Sequence, residues 1–149
     1  MVADGFDEAP ATAFQRTMNK AGIHVDLAAP EKGLAQGWHE GVWGHHFLIE
    51  NSLDDIEVGR YDAVYIPGGS RSVQTLSDAP KTVDLLARFA ADGKKVIAAG
   101  DARSLIDRAG IEATIAENGD ADYEVAPGHA LIVASTAESA NSLRWLAAA

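Results

Sequence analysis

One stretch restricts the fold of this chain more than any other: Lys95-Val-Ile-Ala-Ala-Gly-Asp-Ala-Arg103. Its first half is short and almost wholly apolar, which predicts a strand buried on both faces. Gly100 breaks the run, and a helix follows from about Ala102 to Ala109. A buried strand turning sharply into a helix is where many α/β enzymes hold a nucleophile, because helix amides and the macrodipole stabilise negative charge there. The tip of this turn carries Gly100 and Asp101, and the chain contains no cysteine. A junction suited to a thiolate that offers a carboxylate instead predicts a scaffold that has lost its chemistry.

The remaining punctuation extends the same pattern. Met1-Val-Ala-Asp4 reads as a short first strand, and Asp7 as the cap of a helix from about Glu8 to Ala21, with Ala13, Phe14, Met18 and Ala21 on one face. Ile23 to Ala28 predicts a second strand, ended by Pro30. Glycines at 33, 37, 41 and 44 punctuate two short extended pieces, which predicts a hairpin between Lys32 and Ile49. Tyr61 to Ile66 is a third strand, stopped by Pro67-Gly68-Gly69. Asp78-Ala-Pro80 starts a helix reaching about Ala91. Weaker strands are expected over 111–116 and 121–125, and a better one at Leu131 to Ala134. Ser135-Thr-Ala-Glu138 is a capping box ahead of a terminal helix. Apolar strands alternating with helices predict an α/β fold, a parallel sheet sandwiched between helices with a small β-hairpin insertion, over one domain spanning 1–149.

Composition narrows the function classes. A net charge of −10 repels phosphate backbones and anionic lipid, so neither nucleic acid nor membrane is an expected partner. The apolar stretches are too short to span a bilayer, and no secretory leader pattern is visible at the N-terminus. The absence of cysteine excludes disulfides and zinc–thiolate sites and fits a reducing cytoplasm, the expected location.

The order of these motifs resembles the DJ-1/PfpI superfamily, whose fold is flavodoxin-like and related to class I glutamine amidotransferases. Val2-Ala-Asp-Gly-Phe6 resembles the end of that family's first strand. Gly37-Trp38, Trp43-Gly44 and Ser52-Leu-Asp-Asp55 resemble its hairpin region, and Tyr61-Asp-Ala-Val-Tyr-Ile-Pro-Gly-Gly69 its most specific stretch. Active members carry cysteine at the elbow and an acidic residue after the first strand. Aligned through the shared strands, the cysteine position holds Asp101 and its neighbour Ala102. The acidic position falls near Pro10, with Asp7 and Glu8 a few residues early. The Ala-Gly-Asp-Ala-Arg run at 99–103 resembles the C-terminal domain of large-subunit haem catalases, which lacks the catalytic residues of PfpI proteins. That resemblance implies a detached or excised domain whose haem and peroxide chemistry belongs to a preceding core. The short first strand is expected on the same ground, since a central parallel strand usually has five or six residues.

Individual residues carry competing readings. Asp101 can serve as nucleophile or base, or as a cap on the amides of its own helix for roughly 1 kcal/mol, with Arg103 pairing to it. Pro67-Gly68-Gly69 reads as an oxyanion hole or as the tight turn that any such fold needs. Ser70 and Ser72 lie beside it, but no Gly-x-Ser-x-Gly elbow exists. His39, His45, His46, Glu40 and Glu50 form a metal-like cluster, yet neighbours on a strand point to opposite faces, so no metal is expected. Trp38 and Trp43 read equally as interface anchors and as core. His24 and His129 are expected at the surface.

The sequence therefore predicts a vestigial elbow of Gly100, Asp101, Ala102 and Arg103, and a pocket bounded by Asp7, Glu8, Gly68, Gly69, Ser70 and Asp101. No cofactor is expected. The expected role is stabilising, assembly or chaperone-like, with a second copy, a catalase-type core, client proteins or a small molecule as partner. An enzyme of altered chemistry using Asp101, and a small-molecule-binding module, are the competing classes.

Overall fold

The computed structural model describes residues 1–116 and 125–134. The strand expected over 121–125 falls almost wholly outside them, and the capping box and terminal helix fall outside altogether. In chain order the elements are β1 (Phe6–Asp7), α1 (Glu8–Lys20), β2 (Ala28–Ala29), β3 (Gly33–His39), β4 (Val42–Ile49), β5 (Asn51–Ser52), β6 (Ala63–Ile66), α2 (Ser70–Asp78), α3 (Pro80–Ala91), β7 (Lys95–Ala99), α4 (Arg103–Arg108), β8 (Ala113–Ile115) and β9 (Ala130–Val133).

The strands read as apolar runs form the centre. A parallel ladder runs β6-β7-β9-β8, pairing Val64 with Val96, Ile97 with Leu131 and Ala113 with Ala130. Because side chains alternate along a strand, β7 feeds two cores. Val96 and Ala98 face α3 and α4, where they meet Leu85, Leu86, Phe89, Leu105 and Ile106. Ile97 and Ala99 face α1 and pack with Phe14 and Met18. Each fully buried leucine or isoleucine contributes roughly 1.5–3 kcal/mol by leaving water. The fold is the flavodoxin-like α/β sandwich, with helices on both faces of a parallel sheet.

Residues 1–3 join the rest of the sheet to this ladder. The Met1 amine donates to the Tyr65 carbonyl and the Val2 amide to the Ala28 carbonyl, both at 2.8 Å. They form a row between β6 and β2, and β2 in turn pairs with β5. The expected second strand is largely absent: residues 23–27 join no ladder, and only Ala28 and Ala29 pair. Alternating Ile23, Val25 and Leu27 have the strand pattern, but a strand exists only where a neighbour accepts its backbone bonds.

The hairpin is longer than the glycine spacing implied. Gly37 lies within β3 and Gly44 within β4, and the turn is Glu40-Gly41, both at positive φ (48° and 82°). Two positive-φ residues between paired strands match the twist of a hairpin. Helix α2, absent from the sequence reading, follows Gly69 directly. Asp78 closes α2 instead of opening α3, whose first residue is Pro80. Asp7 precedes α1 without capping it through its side chain. No helix among the described residues is long and apolar enough to cross a membrane.

Candidate functional site

Three chain turns meet at the carboxyl ends of the central strands, the place where parallel sheets present ligand sites. They are Gly5, after the first row; Pro67 to Gly69, after β6; and Gly100 to Ala102, after β7. Backbone bonds lock the first two together, since the Asp7 amide donates to the Gly68 carbonyl at 2.9 Å. Gly69 is at φ +116°, and an added Cβ would overlap the Gly5 carbonyl and lie 2.9 Å from Phe6 Cα. Only glycine allows so close an approach.

The elbow itself departs from the sequence reading. Its positive-φ residue is Gly100 (φ +55°), one position before Asp101. A nucleophile elbow projects its reactive atom from the strained turn residue, and here that residue has no side chain. Asp101 sits inside the 3-10 turn Gly100–Ala102, not ahead of it, so its carboxylate is not placed to cap its own helix, and it makes no such bond. It instead accepts the Gly69 amide proton at 2.9 Å. Gly69 is the residue from which α2 starts, so Asp101 places negative charge at the positive end of a neighbouring helix. No ion pair joins Arg103 to Asp101; both side chains are exposed and Ala102 is buried.

The nearest acidic partner of the hairpin is Glu8, the first residue of α1. It is buried, 8% exposed. Its Oε2 accepts the His45 amide at 2.9 Å and its Oε1 meets the same residue's Nδ1. Burial pushes the Glu8 carboxyl up, but the His45 ring and amide bonds and the charges of His45 and His39 outweigh it, so the net direction is down. Gly37 and Gly44 make room for this carboxylate: a Cβ at Gly37 would lie 2.7 Å from Glu8 Oε2, and one at Gly44 would overlap it. The sequence signal was present as glycines within strands, but it reads as punctuation until the facing residue is known.

Of the expected pocket residues, the structure links Asp7 to Gly68 and Gly69 to Asp101, and seats Ser70 exposed at the start of α2. Glu8 is directed to the hairpin. Ser72 is fully buried and accepts the Ala3 amide at 2.9 Å, a structural use of its hydroxyl. His45 pairs with Glu8 while His46 does not, and among the described residues no three histidine or acidic side chains converge as a metal requires. Trp38 and Trp43 are outside the core clusters: they meet edge to face at 5.2 Å with the Arg71 guanidinium 5.4 and 5.3 Å from their rings. Trp43 remains 45% exposed.

Comparison with known proteins agrees with this architecture. The DJ-1/PfpI family pattern matches residues 1–116. A catalase HPII of Mycobacterium avium is 32% identical over 120 residues, covering 80% of this chain and 17% of that protein. The DJ-1 protein homolog E of Arabidopsis thaliana is 31% identical over 109 residues, 64% of this chain and 27% of that one. The chain thus spans under a third of the curated relatives it matches. Among solved structures, the VC2308 protein superposes with a TM-score of 0.79 at 23% identity, over 99% of this chain and 82% of that one. Oxidized Toxoplasma gondii DJ-1 gives 0.74 at 19%, over 97% and 85%.

Proposed function

Because the chain belongs to the DJ-1/PfpI family, we propose that it is a member without elbow catalysis, whose role is to stabilise or assemble a larger protein. One observation carries this reading: the carboxylate of Asp101 occupies the Gly69 amide. In an acyl-transfer site such an amide would stabilise the developing oxyanion. Here a fixed negative charge already holds that donor, and it would repel an anionic intermediate. The apex residue, Gly100, has no atom with which to attack. The similarity to one part of a catalase HPII supports the assembly role, with a catalase-type core or a second copy of this chain as partner. The outer hairpin, with Leu34, Val42, Trp43 and Leu48 exposed, supports it further.

The competing enzyme reading would have Asp101 attack a small carbonyl compound. A carboxylate is a poorer nucleophile than a thiolate, and among the described residues this one has no histidine or second acid as hydrogen-bond partner. The purified chain is expected to show no amidase, peptidase or glyoxalase turnover above buffer. Turnover that disappears in Asp101→Asn overturns the proposal.

A further inference from the structure

The two faces of the β3–β4 hairpin meet different surroundings. Ala35 and Gly37 turn inward, toward α1 and Glu8, so by the alternation of a strand Leu34, Gln36 and Trp38 turn the other way. Each of these has a partner on β4: Leu34 opposes Leu48, Gln36 opposes His46 and Trp38 opposes Trp43. Leu34 and Leu48 are 65% and 61% exposed. A sheet face bearing large apolar pairs ordinarily lies under a helix. Helix α2 reaches only one end of this face, through Arg71 in its first turn. Gly5 makes room for the Arg71 stem, since a Cβ there would lie 2.7 Å from Arg71 Cβ. The guanidinium is then held by the Trp38 and Trp43 rings. Among the described residues no hydrogen bond or ion pair uses its N–H groups. Two indoles thus fix a cation whose planar fork is unfilled.

We propose that this face docks an amphipathic helix of a partner protein, with one carboxylate on Arg71 and a large apolar side chain on the Leu34–Leu48 pair.

The partner's chemistry follows from the two ends of the face. A guanidinium fork matches a carboxylate, and the indoles shield that pair from water. The leucine pair lies four strand residues from the tryptophan pair, roughly 13 Å. Eight residues of helix span about 12 Å, and positions i, i+4 and i+8 lie along one ridge. A polar residue in the middle of that ridge meets the His46 ring, which an acyl chain crossing the same span would leave without a bond. A helix also keeps its own backbone bonds, whereas an extended segment lying on a sheet face leaves them open. The net charge of −10 repels a uniformly acidic partner, so a single acid in an otherwise neutral or basic helix is the fitting pattern. Such a helix is the partner's side of the assembly role proposed above, on which this site rests.

The test titrates the full chain with the helical peptide acetyl-Ala-Ala-Lys-Glu-Ala-Ala-Lys-Gln-Ala-Ala-Lys-Leu-Ala-Ala-Lys-amide, read by NMR at the Trp43 indole N–H and the Leu48 methyls. Shifts are expected at both ends of the face. Arg71→Met, Leu48→Lys, or glutamine in place of the peptide's glutamate should each weaken binding about threefold or more. Arg71→Lys should restore only part of the loss, because an ammonium lacks the fork. No shift at millimolar peptide, an affinity unchanged in Arg71→Met or with the glutamine peptide, equal shifts from decanoate, or sedimentation showing a dimer that already buries Leu48 each overturn the proposal. If a variant does not fold, the two peptides on the unaltered chain still decide the matter. A silent elbow with no peptide bound removes this site alone, whereas turnover lost in Asp101→Asn removes the assembly role as well.

Discussion

Acetylating the Met1 amine tests whether that nitrogen lies inside the sheet. The amine donates to the Tyr65 carbonyl, and burial lowers it from 8.0 to about 5. In the unfolded chain it is protonated below pH 8, and in the folded chain only below about 5. The unfolded state therefore binds more protons throughout that window, so stability rises with pH from 5 to 8. With 1.36 kcal/mol per pKa unit, the proton that the amine gives up on folding disfavours folding by under 1 kcal/mol at pH 8 and by about 3 kcal/mol at pH 6. Free-amine protein should thus lose at most about 2 kcal/mol between these pH values, or about 4–8 °C in Tm for a chain of this size. An α-N-acetyl group keeps the N–H that bonds Tyr65 and removes the charge. The acetylated protein should lack this part of the pH dependence and be the more stable form at pH 6. Urea unfolding of both forms at pH 6, 7 and 8 measures the difference. Parallel curves would show that the amine is solvated, and the first-row geometry would be wrong.

Three further outcomes follow from the site. Asp101→Ala removes the acceptor of the Gly69 amide and should lower stability by about 1 kcal/mol in urea, whereas Asp101→Asn keeps an acceptor oxygen and should lose less. Gly69→Ala should cost about 3 kcal/mol or more, from positive φ and overlap with the Gly5 carbonyl, while Gly59→Ala, with open space around its Cβ position, should stay within about 0.5 kcal/mol. The Glu8 carboxyl is held below its ordinary 4.5, so its contribution is present above that value and fades as the acid is protonated in the folded state. The stability advantage of wild type over Glu8→Gln, read from urea midpoints, should therefore be full at pH 7 and shrink as pH falls below 4.5.

The amino-acid sequence alone determined the sandwich and the loss of the thiol. The runs at 61–66, 95–99 and 131–134 are apolar at nearly every position, and local periodicity of that kind identifies a doubly buried strand without knowledge of its neighbours. The missing sulfur is likewise a matter of composition. Tertiary structure decided what touches what. Whether Asp101 caps its own helix or accepts the Gly69 amide, 32 residues away in the chain, depends on where β6 ends relative to β7. Gly37 and Gly44 read as turns until α1 brings Glu8 over the hairpin. Ile23 to Leu27 has the alternation of a strand but joins no ladder, because hydrogen-bonded pairing needs a partner at strand spacing, and partners are assigned by the path of the whole chain.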